Sequence, residues 1–136
     1  MAAKELVNKG PIKNKIFLVK NEKDFKELQK KYVGFQDLEW RLNDGPIGQF
    51  SWTVHPDGYM RCAICIDTKA FIGDTIGDAV SVVAHECLHC VQRTIQWMGG
   101  HTAESIEWEA YMLDWLVDEA VAYFWPKAYK TRIKSA

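Results

Sequence analysis

The sequence predicts an α+β domain, and three observations predict it. Two alternating segments, 49–54 and 59–67, flank a turn and indicate a β-hairpin. Two long segments with helical periodicity follow, at 75–98 and from 103 to 124 or 125. The chain has 136 residues, 48% of them hydrophobic, which suits one hydrophobic core. We therefore expect a single domain over residues 1–136.

The first half of the chain gives weaker signals. Residues 1–15 mix Lys, Asn, Gly and Pro, and we expect them to form a loose N-terminal arm. A short strand is predicted at 16–19, and apolar residues at helical spacing predict a helix over 24–32. The sequence His-Pro-Asp-Gly at 55–58 favours the tight turn of the hairpin.

The ends of the two long helices are marked by capping and breaking residues. Thr75 and Asp78 have the spacing of a capping box, which opens the first helix. The pair at 99–100 is Gly-Gly, which stops that helix, and Pro126 ends the second.

Composition and charge exclude several classes of function. Lys plus Arg number 17 and Asp plus Glu number 18, so the net charge is -1 and nucleic-acid binding is not expected. No apolar run approaches the roughly 20 residues that cross a bilayer, so we expect no membrane partner. The N-terminus has no apolar segment typical of a signal peptide, and we expect the protein in the cytoplasm.

One five-residue stretch carries chemistry. His85-Glu86-Cys87-Leu88-His89 matches H-E-x-x-H in the middle of the predicted 75–98 helix. Residues four apart differ by about 40° around a helix, so both imidazoles can reach one metal ion. Glu86 is displaced from both, where it can act on water rather than bind the metal. The alternative is two solvated histidines on an amphipathic helix.

A catalytic zinc ion usually has three protein ligands, so a third is sought among His101, Glu104, Glu107 and Glu109. Helical periodicity places Glu109 in the middle of the apolar face of the second helix, whereas the other two acids fall toward the polar face. A buried carboxylate is costly unless it is paired or binds a metal. We therefore predict Glu109 as the third ligand, with His101 as the rival.

These residues resemble the zincin metallopeptidases, specifically the gluzincin branch, in which a Glu from a following helix completes the zinc site. Nineteen residues separate His89 from Glu109, similar to the thermolysin-like members. By that resemblance His85, His89 and Glu109 bind Zn²⁺. The small size and Trp108-Glu-Ala-Tyr111 look like small phage-encoded or bacterial zincin-like proteins. In Spartan-like proteases the third ligand is a histidine, which would favour His101.

The resemblance implies a minimal zincin-like domain, in which the edge of the hairpin packs on the H-E-x-x-H helix. It also implies a zinc-dependent peptidase of peptide or protein substrates, with Glu86 as general base. The alternative function is a non-catalytic, metal-stabilised binding protein, for example a phage factor that engages a host protein. The oligomeric state stays open.

Two C-x-x-C pairs offer an alternative zinc site made of four cysteines. Cys62 and Cys65 lie in a predicted strand, where positions three apart face opposite sides. Cys87 and Cys90 overlap the histidine motif, and Cys87 points away from the histidines. We therefore interpret the four residues as buried, reduced cysteines rather than as the ligands of a zinc site.

Overall fold

A computed structural model of the chain has an α+β fold, as predicted, with a four-stranded mixed sheet and three α-helices. It describes residues 3–7, 14–32, 34–44, 47–54, 58, 60–69, 76–100 and 102–126. The chain divides into two compact units, residues 1–71 and 72–136. The single domain over residues 1–136 that the sequence led us to expect stays a prediction.

The first unit contains the sheet and one helix. Its strands are β1 (Lys4–Val7), β2 (Asn14–Val19), β3 (Gly48–Val54) and β4 (Met60–Ile66), in the spatial order β1-β2-β4-β3. The helix α1 (Glu22–Lys31) and two short 3-10 turns (Phe35–Asp37 and Leu42–Asp44) connect β2 to β3. Strand β2 pairs parallel with β4, whereas the other two pairings are antiparallel.

The predicted hairpin is confirmed, because β3 pairs antiparallel with β4 from Gly48–Ile66 to Val54–Met60. Its turn lies largely outside the described residues. Every residue of β4 is buried. A central strand that is covered on both faces is typically apolar throughout rather than alternating. Strand β4 follows this pattern except at the buried Arg61, whose guanidinium lies 5.2 Å from the centre of the Tyr32 ring.

The N-terminal segment differs from the expected loose arm. Residues 4–7 form β1, which pairs with β2, and β2 itself begins at Asn14. Only Leu6 of β1 is buried, so an edge strand with one buried side chain leaves little hydrophobic pattern in the sequence.

Helix α1 covers one face of the sheet. The side chain of Asn21 caps it by accepting a hydrogen bond from the backbone N–H of Asp24 at 2.9 Å. Phe25 and Leu28 point into an aromatic-rich cluster of buried side chains. The cluster contains Ala3, Phe17, Val19, Phe25, Leu28, Phe35, Leu42, Ala63 and Cys65.

A buried glutamine holds the loop that follows α1 against β3. Gln49 accepts a hydrogen bond from the backbone N–H of Arg41 at 2.7 Å and donates one to the carbonyl of Glu39. Both bonds satisfy backbone groups that have no strand or helix partner.

The second unit is built from two helices that contact each other, α2 (Ile76–Trp97) and α3 (Ala103–Phe124). Both confirm the predicted helices, although the predicted cap at Thr75 lies outside the described residues. Gly99 and Gly100 have φ of 110° and 96°, left-handed values that end α2. Thr102 and Ser105 form a capping box that opens α3.

We predict that Gly34→Ala lowers the free energy of unfolding by more than Gly58→Ala. Both glycines have left-handed φ, 99° and 88°, which costs an L-residue about 1–2 kcal/mol. A Cβ at position 34 would also lie 3.1 Å from Cγ2 and Oγ1 of Thr53. At position 58, no neighbouring atom of the described residues would lie within 4 Å of the added Cβ. Urea denaturation measures both. Adding Thr53→Ala should recover part of the Gly34→Ala loss, and equal losses at 34 and 58 would contradict the steric argument.

Candidate metal centre

The two histidines of the motif meet on the solvent face of α2. Their Nε2 atoms are 3.1 Å apart, and the rings lie edge to face with centroids 4.7 Å apart at 83°. Both side chains are exposed. The regular helix brings His85 and His89 together because the four-residue spacing returns to nearly the same angle.

The buried side of α2 lies on the opposite face. It includes Val83 and also Cys87, which the sequence predicted to point away from the histidines. Among the described residues of α2, the buried side chains are Ala79, Val83, Cys87, Cys90, Val91, Thr94 and Ile95, together with Glu86 at the margin. The histidine stripe therefore faces outward on this helix.

Glu86 lies on the flank between these two faces. It is only 7% exposed, in contrast to its neighbour His85. Its carboxylate is close enough to Cys87 to act on that thiol electrostatically.

The four cysteines are all buried, which confirms the predicted burial. Cys62 and Cys65 face opposite sides of the sheet, because they lie three residues apart in β4. Burial raises the pKa of the Cys87 thiol well above its ordinary value of 9.0, and the charges of Cys90 and Glu86 raise it further. Cys87 is thus a protonated core residue.

The acidic candidates lie on α3, and they differ in exposure. Glu109 is half-buried, and Glu107 is exposed and accepts a hydrogen bond from the Tyr111 hydroxyl at 3.4 Å. The buried face of α3 begins only at Met112, and Ile106 is 63% exposed. The helical periodicity places Glu109 on the side of α3 that becomes buried further along the helix, but it does not predict that Glu109 itself is only half-buried. His101 and the side chain of Glu104 lie outside the described residues.

No third ligand joins the histidines in the part of the chain that the structure describes. Among those residues there is no group of three His, Cys, Asp or Glu side chains that could hold a metal ion. The structure brings His85 and His89 together but does not add Glu109 to them. Its role as a ligand stays a prediction.

The comparisons with known proteins do not support a family. No protein-family model matches the chain, and neither the curated proteins nor the solved structures contain a significant match. The identification as a gluzincin-type zincin, or as a small phage-encoded or bacterial zincin-like protein, is therefore wrong. Its physical basis is missing: the described residues contain no complete ligand set, which defines that branch.

Two histidines nevertheless fit one zinc ion. Two imidazole nitrogens that bind one zinc ion at about 2.0–2.1 Å in tetrahedral geometry lie about 3.3–3.4 Å from each other. That spacing is within about 0.3 Å of the distance between the two Nε2 atoms in α2. The observed Nε2–Nε2 distance is 3.1 Å. Imidazole is also a ligand that zinc prefers. The pair would supply two of the four ligands of a tetrahedral site.

A second candidate surface lies in the first unit, at the outer strand of the sheet. A cavity of about 320 Å³ is lined by Trp52 and Phe50 of β3 and by Asp37 and Glu39 of the loop that Gln49 holds. The side chain of Trp52 is 37% exposed.

The described helices include none that is long and apolar enough to span a membrane. The expected cytoplasmic location stays a prediction.

We predict that Cys87 makes the fold sensitive to alkaline pH. Its pKa is raised in the folded state, so its contribution to stability is fully present below the unfolded pKa and is lost as pH rises above about 9. This loss approaches about 1.4 kcal/mol per pH unit. Urea denaturation between pH 8 and 10.5 should show a shallower decline for Cys87→Ala than for the wild type. Parallel declines would contradict this assignment.

Proposed function

We propose that this protein is a zinc-dependent hydrolase of peptide bonds, with His85 and His89 as metal ligands and Glu86 as the general base. The observation that carries the proposal is the 3.1 Å separation of the two Nε2 atoms on one helix. Without a metal, this contact is a hydrogen bond in which one imidazole donates to the other, and a bound ion would take the place of that proton. Glu109 is proposed as a further ligand.

The residues of α2 have two different roles in the proposed reaction, metal binding and proton transfer. A bound zinc ion supplies Lewis acidity toward water and toward a carbonyl oxygen. Glu86 accepts a proton from the attacking water on its carboxylate and then donates that proton to the leaving amine.

A non-catalytic, metal-stabilised binding protein is the second candidate, and a specific observation favours it. Both imidazoles are exposed, whereas Glu86 is buried on the adjacent flank of the helix. In that arrangement a bound metal would face a partner, whereas the Glu86 carboxylate would face the interior of the unit. Glu86 is the residue that separates the two functions, since a binding protein does not require it as a base.

Glu86→Gln therefore tests the function. We expect the variant to bind zinc like the wild type but to lose cleavage of a diverse peptide library by at least about a hundredfold, because an amide cannot accept the proton. Zinc per chain is measured by elemental analysis and cleavage by mass spectrometry. Unchanged cleavage would remove Glu86 as the base, and a zinc-loaded wild type that cuts nothing would leave the binding function ahead.

The ligand set is tested by a matched pair on α3. Glu109→Ala should weaken zinc binding by about tenfold to a thousandfold, whereas Glu107→Ala, on the exposed face, should leave it unchanged. His85→Ala provides the positive control for ligand loss. Isothermal titration with zinc measures each affinity. The reverse order of Glu107 and Glu109 would overturn the choice of the third ligand.

A further inference from the structure

The cavity at the outer strand of the first unit combines an aromatic wall with a charged rim. Its volume is about 320 Å³, near the lower end of the range of roughly 300–1,000 Å³ that small-molecule sites occupy. Phe50 and Trp52 form the aromatic wall from one face of β3, because residues two apart in a strand share a face. Trp52 remains exposed to solvent. The cavity therefore has the size and the open aromatic surface for one small group.

The charged rim comes from the loop at residues 37–41, in which inward and outward side chains alternate. Leu38 and Trp40 are half-buried and pack against the aromatic-rich cluster beside α1. Such alternation is typical of an extended chain. The outward side chains are exposed, line the cavity and make up the charged rim: Asp37, Glu39 and Arg41. The alternation thus brings three charged residues to one side of the loop.

The two acids of the charged rim are not neutralised within the part of the chain that the structure describes. Neither the Asp37 nor the Glu39 carboxylate forms a salt bridge or a hydrogen bond there, and the Arg41 guanidinium pairs with neither of them. Two negative charges and one positive charge leave the lining at a net charge of -1. Walls of low dielectric focus the field of such charges into a cavity. The lining therefore favours a cation.

Two glutamines hold the charged rim in place. Gln29 of α1 donates hydrogen bonds to the backbone carbonyls of Phe35 and Leu38, at 3.3 and 2.6 Å. Gln49 of β3 binds the backbone groups of residues 39 and 41. The backbone on both sides of the two acids is therefore fixed before a ligand arrives, which lowers the entropic cost of binding.

We propose that this cavity binds a guanidinium group on an alkyl chain, the chemistry shared by a peptide arginine and by free guanidinium compounds. A guanidinium is planar, so it stacks on a tryptophan ring while its N–H groups donate to carboxylates. The lining offers both partners, in Trp52 and in the two acids. An ammonium group is more strongly hydrated and has no planar face to stack, so it binds less tightly. This site goes beyond the proposed hydrolase and uses none of its residues.

The experiment titrates the peptide acetyl-Ala-Arg-Ala-amide into isotope-labelled, full-length protein and follows the backbone amide signals by NMR. We expect saturable shifts at residues 37–41 and 50–52. The same peptide with norleucine, which has a neutral chain, should bind at least about tenfold more weakly, and the lysine peptide should lie between the two. Propylguanidinium tests the group without a peptide backbone. If it binds as tightly as the arginine peptide, the ligand is a free guanidinium compound, whereas tighter binding of the peptide assigns the site to an arginine within a chain.

Variants separate the contributions of the lining. Asp37→Asn should weaken binding of the arginine peptide by about tenfold, because it removes a charged hydrogen-bond acceptor. Trp52→Leu should weaken it by about threefold to thirtyfold, because it removes the ring but keeps an apolar side chain. Arg41→Gln should tighten it, because the only cation of the rim is lost. Asp114→Asn, at an exposed acid of α3, should bind like the wild type.

Arg41→Gln also provides the sharpest contrary outcome. Loss of binding in that variant would show that the cavity takes an anion and would overturn the proposal. Equal binding of the norleucine peptide, or the absence of saturable shifts at the lining residues, would overturn it as well. Circular dichroism shows that each variant is folded, and Asp37 is exposed, so its replacement leaves the core unchanged. None of these measurements uses zinc or cleavage, so a failure here leaves the proposed hydrolase intact.

Discussion

The parallel pairing of β2 with β4 is the constraint on which the first unit depends. Parallel neighbours cannot be joined by a tight turn, so the chain must leave the sheet after β2 and return before β4. Helix α1 and the loop after it make that crossover, and β3 is added on the far side of β4 by the hairpin. These pairings make β2 and β4 the central strands, and every residue of β4 is buried. Gln49 is needed because the crossover leaves backbone groups at residues 39 and 41 to be satisfied.

The second unit depends on a different constraint, the helical repeat. One repeat fixes two opposite faces of α2, so the same 22 residues provide a buried side around Cys87 and an outward stripe around His85 and His89. Glu86 falls between these faces. Its position brings an acid next to the buried thiol of Cys87 and one residue from the exposed His85.

Features that depend on local sequence were the predictable ones. The hairpin, both long helices and the burial of Val83 and Cys87 follow from periodicity and turn residues, which act over a few positions. Strand β1 was not predictable, because its pairing with β2 is decided by tertiary contact and leaves only Leu6 as a buried signal. The third ligand, Glu109, stays a prediction for a related reason. The angle of Glu109 around α3 is a local property, but its distance from the histidines is set by the packing of two helices.

The exposure of the histidine pair changes how its motif should be interpreted. H-E-x-x-H specifies two ligands and an acid, but the spacing alone is equally satisfied by a cleft and by an open surface. Here the pair converges to 3.1 Å while facing solvent. If the pair binds zinc as proposed, the remaining ligands would have to come from outside α2. A ligand from α3 is the one that hydrolysis requires, because three protein ligands would leave one coordination position for water.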